Sequence, residues 1–293
     1  MNRKENKMTT PEVVVLGPGG IKSLLIMGAL FRLNQEGILK NVHTFIGVSA
    51  GSLISLMLVA GYSIQEIVVD AVSDDLLHDV CAVNLSQTKQ TMGLIDHGKI
   101  RERLSKKIIS KFGKVLTLKQ LYLATGLTYI SVSTNLDSES PHYFSWETEP
   151  DVSCVEAALR SMNIPFLFQK LDCYIDGALT DPYPILLKDD GKTPILGISV
   201  HTSQVGHGIA KYLHDVIQAP MTQLRKISEQ RSSPMCKHII IPCPTLDTLG
   251  LTLDPIGKSN LLIFGYQKAE EFLEQFQLST KDESTCSLDR NCQ

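Results

Sequence analysis

An α/β fold, with a mostly parallel central sheet and helices on both faces, is predicted by three observations on this sequence. Short apolar runs alternate with longer segments of helical period. Glycine-rich turns follow the first two runs, at 17–20 and 47–51. The chain has 293 residues and is 43 % hydrophobic, which suits one large α/β core. Ligands of such sheets lie at the carboxyl ends of the strands, so chemistry is expected at those turns.

The first run, Val13-Val14-Val15-Leu16, predicts a strand. It leads into Gly17-Pro18-Gly19-Gly20-Ile21-Lys22-Ser23 and a helix over 20–35. Glycines ahead of a helix expose N–H groups where the helix dipole is positive, a setting for a phosphate or an oxyanion. The nucleoside-triphosphate loop needs Gly directly before Lys-Ser, and Ile21 stands there. The dinucleotide fingerprint needs a third Gly where Lys22 stands. A turn without function is the plainer alternative.

The second strand, 44–47, runs into Gly47-Val48-Ser49-Ala50-Gly51 and a helix over 49–60. A serine in such a strand-to-helix turn is pushed out of the backbone with the helix N-terminus behind it, and the flanking glycines let strand and helix approach. Hydrolytic serine chemistry needs this geometry, and the earlier turn offers donors for its oxyanion.

Further helices are expected over 63–77, 99–112, 152–162, 209–230 and 259–276, and further strands over 127–133, 171–175, 195–200 and 238–242. Leu262, Tyr266, Ala269, Leu273 and Phe276 share one apolar face of the last helix. Residues 279–293, polar and aperiodic, are expected to form a loose tail.

At the end of strand 171–175 stands Asp176-Gly177-Ala178. Asp-Gly alone is a common turn dipeptide. Together with the two glycine turns, and in this order, it makes the chain resemble the patatin-like phospholipases over roughly residues 12–190. The stretch Ala157-Ala158-Leu159-Arg160-Ser161-Met162-Asn163-Ile164-Pro165 is similar to the helix and proline turn before that family's aspartate strand, and Asn135-Leu136-Asp137 to a further strand end.

The resemblance implies a patatin-like three-layer fold, with a catalytic core over 12–190 and the same domain continuing over 191–278. It implies a lipid acyl hydrolase of phospholipase A or lysophospholipase type, with phospholipid or other lipid esters as substrates. Ser49 would be the nucleophile and Asp176 its base, with no catalytic histidine, cofactor or metal. Gly19, Gly20 and Ala50 would hold the oxyanion, within motifs completed by Gly17, Pro18, Ile21, Lys22, Gly47, Val48, Gly51, Gly177 and Ala178. The chain departs from the family pattern in the first motif. Pro18 stands at the first of three successive glycines, Gly17 where Asp or Ser is usual, and Ser23 in place of a final Gly. Proline has no N–H, so this departure is expected to give a weakened or reshaped hole, to which the Ala50 N–H still contributes.

Twenty-eight basic residues against 31 acidic ones give a net charge of −3, which argues against a nucleic-acid partner. Residues 99–114 carry seven basic residues against Glu102, with Ile100, Leu104, Ile108 and Phe112 at helical spacing. Such a helix reads either as a transient contact with anionic headgroups or as the solvated face of an ordinary packed helix. The seven cysteines (Cys81, Cys154, Cys173, Cys236, Cys243, Cys286 and Cys292) follow neither a zinc nor a disulfide spacing. No secretory signal, spanning segment or lipid-anchor signal is found, so an intracellular place is expected, cytoplasmic or peripheral to a membrane. Two alternatives stay open. One is a serine esterase whose triad is completed by His201, His207, His214 or His238, all of which follow Asp176. The other is a catalytically idle relative that binds a lipid or a partner.

Overall fold

The computed structural model describes residues 10–73, 93–202, 209–243 and 253–285. Strands β1 (Val13–Leu16), β2 (Thr44–Val48), β4 (Thr128–Asn135), β5 (Ser140–Phe144), β7 (Tyr174–Asp176), β8 (Ile195–Thr202) and β9 (Cys236–Cys243) form one seven-stranded sheet. Its order is β5-β4-β2-β1-β8-β9, and β7 is an extra partner of β4. The pairs from β4 through β9 are parallel, while β5 and β7 run antiparallel to β4. A separate parallel pair joins β3 (Gly93–Ile95) to β6 (Phe166–Phe168).

The helices are α1 (Ser23–Gln35), α2 (Ala50–Val59), α3 (Ile64–Ser73), α4 (Gly98–Phe112), α5 (Leu118–Thr125), α6 (Cys154–Ser161), α7 (Ile209–Arg231) and α8 (Pro255–Thr285). Side chains alternate across a strand, so β1 feeds two cores. Val14 and Leu16 pack with α1, α2 and α8, while Val13 and Val15 pack with Ile46, Val48, Tyr183 and Met221 of α7 on the other face. Both faces are thereby covered, as a parallel sheet requires.

Helices α1 and α8 meet backbone to backbone. A Cβ on Gly28 would strike the Leu262 carbonyl, and one on Gly265 the Leu25 carbonyl. This seam shifts the buried face of α8 relative to the expected one: Leu261, Gly265, Ala269, Phe272 and Leu273 face inward, and Leu262 and Tyr266 are only half-buried. Helix α8 also continues to Thr285, where a loose tail was expected from 279. No Gly or Pro interrupts the segment 279–285, so nothing in it stops the helix that arrives from Leu278. The strand expected over 171–175 begins only at Tyr174, because Asp172 takes a positive φ of 52° in a tight turn.

The basic helix α4 packs Ile100, Leu104 and Ile108 inward. Its charges are largely answered by protein carboxylates. Arg101 pairs with Glu156 at 2.6 Å, Lys106 with Glu102 at 2.7 Å, Lys111 with Glu66 at 3.7 Å, and Lys107 with Asp70. Exposed pairs of this kind add little stability, but they leave less charge for a headgroup.

Candidate active site

Strand β4 acts as a ruler for the site. Val48, the last residue of β2, is registered against Val132, and Asp176, the last of β7, against the next residue, Ser133. Strand β7 thus enters where β2 ends, and the residue after Val48 meets Asp176. That residue is Ser49, with φ 55° and ψ −124°, at the N-cap of α2. Positive φ is uncommon for a residue with a side chain and persists only where its surroundings hold it. Here the Ser49 N–H donates to Ser161 Oγ at 2.9 Å.

The glycines of this turn allow close approach. A Cβ on Gly47 would strike Gly51, and one on Gly51 would strike the Leu16 and Gly17 carbonyls. The first turn of α2 therefore lies directly against the start of the glycine-rich loop. Within that loop the Gly17 N–H is used by the Ile198 carbonyl of β8 at 2.9 Å, and Pro18 has none. Among the described residues no hydrogen bond occupies the N–H groups of Gly19 or Gly20. Ala50 is the first residue of α2, where N–H groups lack an intrahelical acceptor. Ile21 lies in the short 3-10 turn Gly20–Lys22 that leads into α1. The Lys22 side chain is buried, and desolvation lowers its pKa against the opposing influence of Cys243 at the end of β9.

Asp176 caps the 3-10 turn Gly177–Leu179, accepting the Ala178 N–H at 2.9 Å. A Cβ on Gly177 would collide with the Val132 carbonyl, so only glycine lets this turn sit against β4. The Asp176 N–H donates to the Asn163 carbonyl at 2.8 Å, and the Thr134 hydroxyl to the Asp176 carbonyl at 2.9 Å. Ser49 is 4 % exposed and Asp176 5 %. Burial pushes the Asp176 carboxyl up to about 6, against the hydrogen bonds of Ser49 and the Ala178 N–H, which favour the charged form. A carboxyl with this pKa beside a strained serine can take a proton near neutral pH.

Two of the four histidines named for a triad have other partners among the described residues. His238 lies between the Tyr183 hydroxyl at 2.9 Å and Ser232 Oγ at 3.1 Å, and His201 contacts Arg225 at 3.5 Å. His207 lies outside the described residues, as do Cys81, Cys286 and Cys292, and the His214 side chain is not described. Cys154, Cys173, Cys236 and Cys243 are thiols. Among the described residues no helix is long and apolar enough to cross a membrane, and no three His, Cys, Asp or Glu side chains group as metal ligands.

Sequence reasoning passed over the supports of this site. Ser161 and Asn163 hold the two key residues by bonds that no local motif announces. Phe166, three residues beyond Asn163, has φ 67° and is 79 % exposed.

The patatin-like phospholipase profile matches residues 14–187. A probable lipid hydrolase of Invertebrate iridescent virus 6 is 27 % identical over 184 residues, which are 59 % of this chain and 62 % of that protein. An uncharacterized protein of Acanthamoeba polyphaga mimivirus is 29 % identical over 194 residues, 64 % of each. The chain thus spans a little under two thirds of these relatives. Among solved structures, VipD from Legionella pneumophila superposes with a TM-score of 0.55 at 15 % identity, covering 92 % of this chain and 67 % of that one. The complex of SpcU with ExoU from Pseudomonas aeruginosa gives 0.56 at 15 % identity, with 91 % and 53 % covered. At such identities the structural likeness concerns the fold.

Proposed function

This chain belongs to the patatin-like phospholipase family, and from that premise we propose that it is a lipid acyl hydrolase working through Ser49 and Asp176. The observation that carries the reading is geometric: the β4 register sets the buried carboxyl of Asp176 beside a serine in a strained turn at a helix N-terminus, and burial pushes that carboxyl up to about 6.

Asp176 takes the Ser49 hydroxyl proton as Oγ attacks the ester carbonyl carbon. The carbonyl oxygen becomes an oxyanion, held by the N–H groups of Gly19, Gly20 and Ala50. Collapse breaks the bond to the alcohol, which leaves with the proton from Asp176 and gives an acyl-Ser49 ester. Water then attacks that ester as Asp176 takes its proton, and the fatty acid departs as the proton returns to Ser49. The substrates are phospholipids or lysophospholipids, met at a membrane surface. The engagement of His201 and His238 with other groups speaks for the dyad over a triad.

Labelling with a fluorophosphonate probe tests this. The parent should label and Ser49→Ala should not. A parent that stays unlabelled, or a variant that labels equally well, would sink the reading.

A further inference from the structure

His97 is a buried titratable group that the proposed chemistry does not use. It precedes α4, is 4 % exposed, and its ring stacks on Phe168 of β6 with centroids 5.2 Å apart. The small β3–β6 pair holds this arrangement: Ile95 is registered against Phe168, and the Gln169 N–H donates to the Ile95 carbonyl at 2.9 Å.

Across from it lies Asn163, 2 % exposed, which clamps the aspartate strand twice. Its Nδ2 donates to the Tyr174 carbonyl at 2.7 Å, and its own carbonyl accepts the Asp176 N–H at 2.8 Å. The Tyr174 bond settles which end of the Asn163 amide is which, because the reversed amide would set two acceptors against each other. Asn163 Oδ1 therefore points away from β7, and it has no partner of hydrogen-bond geometry. His97 Nε2 has none either. Two buried orphans of this kind are costly apart, yet the Asn163 side chain acts on the imidazole as a hydrogen-bonding neighbour. Asn163 can offer His97 only an acceptor, so the ring must carry its proton on Nε2. Burial and then the Arg101 charge lower the pKa of the ring, against Asp96, Glu156 and the Asn163 side chain.

We propose that His97 is a positioning residue, whose Nε2–H donates to Asn163 Oδ1 and so fixes the segment that holds the Asp176 backbone. The inference rests on the reading of Asp176 as the base. With the bond broken, the Asn163 side chain keeps only its bond to the strand it is meant to hold. Ground-state binding is untouched, so kcat changes and KM does not.

The test uses the full chain and the variants His97→Phe, His97→Gln, Asn163→Ala and the His97→Phe/Asn163→Ala double. Phenylalanine keeps the stack and loses the donor, whereas glutamine restores an N–H. Turnover of a chromogenic fatty-acyl ester should fall about tenfold or more in His97→Phe, since small misplacements of catalytic groups cost this much. KM should hold, His97→Gln should recover most of kcat, and the double variant should be no worse than Asn163→Ala. Parental kcat in His97→Phe, equal losses with Phe and Gln, or additive losses would overturn the proposal. If His97→Phe does not fold, His97→Met replaces it. Urea unfolding of the parent, His97→Phe, Asn163→Ala and the double gives a second cycle, which reads the His97–Asn163 bond without turnover. Additive unfolding energies overturn the bond itself. A parent without Ser49-dependent turnover overturns the hydrolase reading instead, so the two failures are distinct.

Discussion

The Ser49 N–H donates to Ser161 Oγ at 2.9 Å, and that hydroxyl donates onward to the Val132 carbonyl at 2.5 Å. Val132 is in turn the β4 partner of Val48. The bonds close a ring around the strained turn, so β2, β4 and the end of α6 all fix one backbone position. A side-chain-bearing residue at such a φ costs about 1–3 kcal/mol, which this ring must offset.

Ser161→Ala opens the ring. The Ser49 N–H is left buried without a partner, at a cost of about 1–3 kcal/mol, and the turn is free to relax. The melting temperature should drop and kcat should fall about tenfold or more. A variant with parental kcat and melting temperature would mean that the bond holds nothing.

Ser49→Ala should abolish hydrolysis of a chromogenic fatty-acyl ester while circular dichroism stays that of the parent. The change removes one hydroxyl and leaves the glycines of the turn in place. Substantial remaining activity in the purified variant would reduce the turn to a structural role.

The pH profile should carry an acid limb. Asp176 works as a base only when ionised, so kcat/KM should fall about tenfold per pH unit below about 6. An activity level from pH 7 down to about 4 would exclude a base with this pKa.

Asp176→Asn should move activity and stability in opposite directions. Turnover should fall by several orders of magnitude. The carboxyl titrates near 3.8 when unfolded and near 6 when folded, so the native state binds more protons between these values. Stability on this group's account is therefore greatest below about 3.8, falls as pH rises through the window, and is lost above about 6. The deficit at neutral pH is about 3 kcal/mol. A neutral amide avoids it, so the variant should melt higher than the parent at pH 7.5 and lose that advantage near pH 4. A lower melting temperature at pH 7.5 would contradict this account.

Pro18→Gly tests whether the loop lacks a donor. A well-placed N–H is worth roughly 3 kcal/mol in the transition state, and the added backbone freedom costs about 1 kcal/mol or less. Among the described residues no hydrogen bond occupies the Gly19 or Gly20 N–H, so on the proposed reading the variant should be no faster than the parent and slightly less stable. A hundredfold gain in kcat would show that the natural loop is incomplete.

The parts of the fold that carry their own local signal were legible in the sequence. Strand β1 has the bounds that Val13-Val14-Val15-Leu16 predicts, and β2, β8 and β9 overlap their apolar runs. The turns that carry Ser49 and Asp176 were legible because each holds glycines that only a tight approach requires. Strands β3 and β6 were not, since three-residue strands are too short to show a period and they pair across the sequence between residues 95 and 166. Helix α5 escaped too, although Thr117 and Gln120 form a capping box at its start. His97 follows β3 and Asn163 precedes β6, so any relation between them depends on that β3–β6 pair and is not recognisable from local spacing.

The reciprocal contact of Gly28 with Leu262 and of Gly265 with Leu25 sets where the useful protein ends. Helix α8 lies wholly beyond residue 187, where the family match stops, and so do β8 and β9. A fragment trimmed to that match would carry every motif residue and still lack part of what holds them in place. It would strip β1 of the neighbour that takes the Gly17 N–H and bare one flank of the helix on which the donor loop is mounted. An expression product meant for assay should keep the chain at least through Leu273, the last inward-facing residue described on that flank.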